Sequence, residues 1–405
     1  MDTITHGIAG ALIGKAFFGG EDLFTRRGMS RARIVTIAAT VGAMIPDADA
    51  IREILSRNEL LILTWHRGPT HSLVMLPGFA ALLAWLTRWA ARRFGHEEAG
   101  FLPLLAIYGT ALASHILLDL ITSFGTMIWS PLKWTRPAWD LVFIIDFTFT
   151  AILLLPQVAA ALYSRREGVA RRALRAWMFF LLCAMVIWRL AAAVDFPFSW
   201  AYVGVAALVL AALFFLPAYR GYGYTVERRT WCRGGVLCLA GYLVLAAAAH
   251  RAALGRVRQF ALEEKLEAQS LGAMPLPPSL WHWDGLVLTA RGVYEMRIDL
   301  AERRPSSKPA GFSDGQESPG PVVYHIYPNA PENAYIAAAR ELPEVKTFLW
   351  FARFPVVRFW KEGDQAVVEL VDLRFARAGR RPSAFTFRVR YGADGRVAWK
   401  GWLRN

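Results

Sequence analysis

Five stretches within the first 254 residues are apolar for about the length that crosses a bilayer. They are Phe101–Thr122, Leu141–Tyr163, Leu174–Val194, Trp200–Tyr219 and Gly234–His250, each close to the roughly 20 residues a membrane helix needs. Ser72–Ala90 is a sixth, interrupted by Pro77. Ile4–Phe18 and Ile34–Ile45 are shorter and suit half-length, re-entrant or core helices. Composition agrees: 55% of residues are hydrophobic and 19% charged, with mean hydropathy +0.31, where a soluble domain carries about 25% charge. The expected fold is mainly α: a polytopic helical bundle of about 6–8 membrane helices, followed by a small α+β C-terminal domain.

The formal net charge of +14 admits nucleic acid, an anionic surface or a loop bias as explanations. If all eight runs cross, loops 21–33, 88–99, 164–175 and 220–233 share one side and hold 16 basic residues. Loops 46–71, 123–140 and 195–199 hold only five: Arg52, Arg57, Arg67, Lys133 and Arg136. The positive-inside rule makes the first side cytoplasmic. Most of the charge is then an orientation label, and nucleic acid is not an expected partner. The expected location is the bacterial inner membrane, with the N-terminus, loop 46–71 and the C-terminal domain extracytoplasmic. Arg189, inside a span, reads as a bundle-facing or snorkelling cation. No basic, cleavable leader is expected at the start. Cys183, Cys232 and Cys238 have neither disulfide-framework nor zinc-finger spacing and read as free thiols.

After His250 the pattern changes. Ala253–Ser270 reads as an amphipathic helix, and Gly272–Ser279 as a Pro-rich break. The expected division is a membrane-embedded domain over 1–254, a helix and linker over 255–279, and an α+β domain over 280–405. Strand-like runs are Gly285–Leu300, Val322–Tyr327, Gln365–Phe375, Ser383–Tyr391 and Arg396–Trp402. Ala330–Phe351 is helical in pattern, with Pro343 starting a second segment, and Arg303–Gly320 reads as a loop. His282 in Trp281-His282-Trp283-Asp284 reads as a packing cluster and His325 as a packed strand residue.

Chemistry concentrates in four groups within the first 150 residues: Thr5-His6-Gly7, Pro46-Asp47-Ala48-Asp49, His66-Arg67-Gly68-Pro69-Thr70-His71-Ser72, and Ser114-His115 followed by Asp119 and Thr122. The topology puts all four on the outer face. His115 and Asp119 are i and i+4 on one helical face. Asp47 and Asp49 follow a helix-ending proline, and His66 and His71 bracket a Gly-Pro turn. Such a nitrogen–oxygen set suits zinc and, less so, manganese or iron, and its size suggests more than one ion. Each group taken singly is more readily structural, such as a hydrogen-bonded pair, than a metal site. It is their convergence on one face, where ionisable groups in a membrane mark function, that points to a metal site. Arg67 is the candidate for holding a substrate phosphate, and Thr5, Thr70, Ser72 and Thr122 for supporting the ligands. Asp146 reads as a bundle partner.

These four motifs, T-H-G-x-x-G, P-D-x-D, H-R-G-x-T-H-S and S-H-x-L-L-D-x-x-T, resemble the YbcI/YdjM-type family of inner-membrane metal-dependent hydrolases over roughly residues 1–190. The segment from Leu342 to Phe375 is similar to the C-terminal part of longer members. In its His/Asp pattern the family is similar to the zinc-dependent phospholipase C and nuclease superfamily. The resemblance implies a divalent metal, most readily Zn2+, held by His6, Asp47, Asp49, His66, His71, His115 and Asp119. It also implies hydrolysis of a phosphoester, with a lipid or other small-molecule envelope substrate and the bilayer as partners. A transporter or metal permease, and a membrane scaffold with a structural metal site, are the rival readings. The sequence leaves the oligomeric state open.

Overall fold

The computed structural model describes the chain apart from residues 20–30, 57–59, 95–99, 194–199, 278, 302–315, 318–323, 376–384 and 404–405. The first part is helical: α1 Thr3–Ile13, α2 Arg31–Met44, α3 Ala50–Leu55, α4 Leu61–Thr64, α5 Leu76–Arg93, α6 Phe101–Leu120, α7 Phe147–Leu162, α8 Val169–Ala193, α9 Trp200–Tyr219 and α10 Arg228–Glu263. Among the described residues four helical stretches are long and apolar enough to cross a membrane: Arg33–Arg52, α6, α9 and α10. A fifth arises if the bent pair Leu61–His71 and Leu76–Arg93 is one broken span, and α7 is a shorter apolar helix.

Helix α1 packs on α2 and α7, α2 on α6, α6 on α5, α7 on α10, and α8 on α9. The α1–α2 contact is unusually close because both faces are small. A Cβ on Gly10 would lie 2.4 Å from the Ala39 carbonyl oxygen and 2.6 Å from the Ala43 Cβ; one on Gly14 would lie 2.8 Å from the Ala39 Cβ. Small residues four apart on each helix let the backbones meet, which is how helices associate where lipid removes the hydrophobic incentive. Arg189 is exposed beside Trp188. Asp146 caps α7 by accepting from the Phe149 amide at 3.0 Å, and also accepts from Tyr242 of α10 and from Ser279. It is the bundle partner its position suggests. The three cysteines are unbridged.

The C-terminal part is built on two antiparallel sheets. The first comprises β1 Ser270–Leu276, β2 His282–Thr289, β3 Gly292–Asp299, β4 Gln316–Glu317 and β5 Tyr324–Pro328, in the order β1-β2-β3-β5-β4. Helices α11 Ala334–Glu341 and α12 Pro343–Phe351 follow. The second sheet is β6 Pro355–Glu362, β7 Gln365–Asp372, β8 Thr386–Tyr391 and β9 Val397–Trp402, in sequence order. One face of the first sheet (Ala273, Trp283, Val287, Met296) packs on Ala253, Val257 and Phe260 of α10. Its other face (Met274, Leu286, Val293) packs on Phe354, Val356 and Val371 by the second sheet. The far face of the second sheet is covered by α11 and α12 through Ile336, Val345 and Phe348. The order is therefore helix, sheet, sheet, helices.

Three local expectations change. The Pro-rich segment 272–279 is largely not a break: residues through Leu276 form β1. Pro275 is tolerated because β1 is an edge strand, where a missing N–H costs no ladder bond. Gly285–Leu300 is two strands of a hairpin, turning at Ala290–Arg291; β3 opens on Gly292, where φ is +148° and a Cβ would lie 2.2 Å from the Tyr327 carbonyl oxygen. The strand β6 has no counterpart in the sequence reading. Residues 303–320 lie outside the described chain except for 316–317, which form β4.

Candidate metal centre

Alternating helix directions bring the start of α1, the end of α2, the turn before α5 and the end of α6 to one end of the bundle. Asp2 caps α1 by accepting from the Thr5 amide at 2.9 Å, which sets His6 in the first turn, facing inward and fully buried. Pro46 converts the end of α2 into a 3-10 turn, Ile45–Asp49, carrying both aspartates. After α4 the chain reverses through Arg67 (φ +59°) and Gly68 into a second 3-10 turn, Pro69–His71. A left-handed conformation costs an arginine about 1–2 kcal/mol; here it directs the guanidinium into the interior, where Arg67 is 2% exposed.

His6, Asp47, His115 and Asp119 each offer a ligand atom, and these atoms all lie within 4.8 Å of one another. One ion with bonds of about 2.0–2.2 Å would draw such a set together with small side-chain shifts. His115 Nδ1 lies 2.6 Å from the Ala43 carbonyl oxygen, so Nδ1–H donates and Nε2 keeps its lone pair for the cluster. The His6 and His115 rings stack with centroids 3.7 Å apart. His71 joins from the side. Its Nε2 is 2.9 Å from His115 Nε2, 3.2 Å from Asp119 Oδ2 and 3.5 Å from Asp47 Oδ1.

Asp49 and His66 form an adjoining pair: His66 Nδ1 is 2.8 Å from Asp49 Oδ1, and His71 Nδ1 is 3.4 Å from Asp49 Oδ2. Thr70 donates to Asp49 Oδ2 at 2.8 Å, as does the Arg67 amide at 3.2 Å. All seven sequence-selected His and Asp residues thus meet in one cluster, four of them as a compact set and three on its flank.

Asp119 is the hub. Its Oδ1 takes Arg67 NH2 at 3.0 Å and lies 3.1 Å from His6 Nε2, and the Met1 ammonium also reaches it. Arg67 NH1 donates to Thr122 Oγ1 at 2.9 Å. The guanidinium is therefore engaged with a candidate ligand carboxylate, and among the described residues its Nε has no hydrogen bond. Of the supporting residues read from sequence, Thr70 and Thr122 touch the cluster. Thr5 bonds Asp2, and Ser72 bonds the Ile128 and Ser130 carbonyl oxygens.

Two observations fit a cation. Among the described residues, buried Asp119 Oδ2 and His6 Nδ1 have no well-aligned hydrogen-bond partner, and buried polar atoms are seldom left so. Three carboxylates also face four imidazoles, a donor set of the zinc or manganese kind.

Several neighbours escaped the sequence reading. Thr3 donates to Asp47 Oδ2 at 2.6 Å. Phe124 sits 5.8 Å, centroid to centroid, from His66 and 5.0 Å from the Arg67 guanidinium carbon. Arg136 donates to the Leu63 and His66 carbonyl oxygens at 2.9 and 2.8 Å and stacks on Phe124, its Nε and NH1 without a hydrogen bond among the described residues. Burial, reinforced by Arg67 and Arg374, lowers its pKa to about 9, so it remains a cation at neutral pH. Its place in a Trp-rich loop was the only sequence signal.

Residues 1–196 match the YdjM inner membrane protein family. The first part of the chain is therefore similar to that family. The matched stretch contains every residue of the cluster and ends before α9, so the part similar to that family is the part that carries the site. No curated protein and no solved structure matches the chain.

Proposed function

We propose that the protein is a membrane-bound metal-dependent hydrolase that cleaves a phosphoester. The observation that carries this reading is the convergence of His6, Asp47, His115 and Asp119 ligand atoms within 4.8 Å, at one end of apolar helices, with Arg67 alongside. A divalent cation bound there, most readily Zn2+, would supply a Lewis acid that activates water and clamps a phosphoryl oxygen. The chain's own residues do the rest. Arg67 fixes Asp119 and adds positive potential beside the position of a phosphate. Asp49 holds His66 and His71, and Thr122 orients Arg67.

The arginine-rich loops support an extracytoplasmic site. Arg165 and Arg166 lie between α7 and α8, Arg171, Arg172 and Arg175 lie in the first turns of α8, and Arg92 and Arg93 end α5. These are the helix ends opposite the cluster, which the positive-inside rule assigns to the cytoplasm. A transporter would need ionisable groups along a path, whereas this cluster occupies one end.

Metal analysis of the detergent-purified full chain tests the reading. Zinc or manganese bound in the wild type, and lost in His115→Ala and His66→Ala, is the expected result, together with phosphoester turnover that needs the metal. No metal above background sinks it. Bound metal with no turnover on any phosphoester favours a structural site.

A further inference from the structure

Beside the cluster, α1, α2 and α7 leave an open groove of about 300 Å³, lined by Ile4, Ile8 and Ala11 of α1, Met44 of α2 and Leu154 of α7, with Gly7 as part of its floor. It is continuous with the site through the chain itself. Ile4 follows Thr3, whose hydroxyl binds Asp47; Gly7 follows His6; Met44 follows Ala43, whose carbonyl oxygen holds His115. Among the four compact ligands only Asp47 has appreciable exposure, its side chain 10% accessible against 0% for His115 and Asp119. Ile4 is 72% exposed and Met44 36%, so the groove faces outward from the bundle, where a membrane helix meets lipid.

We propose that this groove seats a hydrocarbon chain of the substrate, so that the site takes a membrane lipid whose phosphoester head rests at the Asp47 opening. From Ile4 to Ala11 is seven residues, so the wall of α1 accommodates roughly 10 Å of extended chain. Helix α2 contributes Thr40 and Met44 one turn apart, and Gln157 closes the far end, where its amide is held by the Ile8 carbonyl oxygen and Lys15. A water-soluble phosphoester would make no use of this apolar wall; a lipid reaches it by lateral diffusion without leaving the bilayer. The function assigned to the groove rests on the metallohydrolase reading, but chain binding does not.

The probe is a phosphatidic acid with a diazirine in one acyl chain, incorporated with the full-length protein in nanodiscs and photolysed. Adducts are mapped by mass spectrometry, and bound metal is measured on the same samples. Adducts several-fold denser on Ile4, Ile8 and Met44 than on the lipid-facing Leu208 and Leu237 are expected. They should be displaced by unlabelled long-chain phosphatidic acid but not by glycerol 3-phosphate, and diminished by Ala11→Trp and Leu154→Trp, which fill the groove from opposite walls. Uniform labelling of all lipid-facing helices overturns the proposal. So does undiminished groove labelling in both variants, or displacement by glycerol 3-phosphate alone. Absence of bound metal with groove labelling intact removes the hydrolase reading and leaves the lipid seat, so the two failures are separable.

Discussion

Asp119 joins the compact set of His6, Asp47 and His115 to the rest of the cluster, being fully buried and in contact with Arg67, His6, His71 and His115. Asp119→Asn removes a ligand charge and leaves Arg67 without its partner in a buried setting, a loss of about 3–5 kcal/mol. The expected outcome is loss of bound metal together with a lower melting temperature, read by metal analysis and thermal unfolding of the same preparation. Arg67→Lys tests the partner. A lysine cannot bond Asp119 and Thr122 with one planar fork, so metal affinity or turnover should fall about 10–100-fold, as for other outer supports of a metal site. Unchanged affinity would show that the fork is dispensable. Elsewhere, burial and the neighbouring Asp284 carboxylate raise Glu295 to about 7, although Tyr327 donates to it at 2.7 Å. The folded state thus binds this proton more tightly than the unfolded chain, and stability falls as pH rises from about 4.5 to 7, then levels. Glu295→Gln should therefore raise the melting temperature at pH 8 and leave it nearly unchanged at pH 4; a shift of equal size at both would refute this. His and Asp were legible at this scale because such groups are scarce and costly in apolar helices. Arg136 was not, since its role depends on a loop folding back beneath Phe124.

At the scale of elements, the placement of His6 depends on how closely α1 approaches α2. Gly10 and Gly14 face Ala39 and Ala43, with no room for further atoms. Gly10→Val would force the helices apart, because the nearest obstacle is the Ala39 carbonyl oxygen of the backbone rather than a flexible side chain. Overpacking of this kind costs about 1–3 kcal/mol, and it also moves His6 from His115 and Asp47. Reduced metal content with a lowered melting temperature is expected, while Gly109→Ala, where a Cβ meets nothing within 4 Å, should leave metal content unchanged. Equal behaviour of the two variants would show that the close contact does not position the site. The membrane helices were readable from hydropathy because long apolar runs have one solution in lipid. Their number was less so: α1 and its continuation are short, and α4 with α5 is bent by 70° at a break of a few residues. The β1 strand was hidden by its prolines, since edge position, which excuses a proline, is a property of the sheet and not of the segment.

The whole molecule places the two-sheet part at the same end of the bundle as the His/Asp cluster. Helix α10 runs unbroken from the bundle to Glu263 and packs Val257 and Phe260 under the first sheet. On the other side Leu63 and Phe124, next to His66 and Arg67, pack with Phe351 of α12 and against Phe375, Phe385 and Trp402. One ion pair and one hydrogen bond fasten this face: Arg353 to Asp140 at 2.9 Å, and Arg374, which is held by Asp372 at 2.7 Å, to the Ser123 carbonyl oxygen at 2.9 Å. The sequence separated these regions at about residue 254 and had no means of seeing that they meet, because the contact joins residues some 250 positions apart in the chain. Arg374→Ala leaves the fully buried Asp372 carboxylate without its cation, a cost of about 3–5 kcal/mol. It also frees Ser123 beside Phe124. Faster amide exchange in α4 and around Phe124 is therefore expected, along with weaker retention of metal, while exchange in α9, remote from the interface, stays as in the wild type. Arg374→Lys should recover part of the protection by keeping the charge pair while losing the forked bonds. If exchange in α4 is unaltered in Arg374→Ala, the two-sheet part does not brace the site; if exchange rises everywhere, the interface is a requirement for folding and its local role falls.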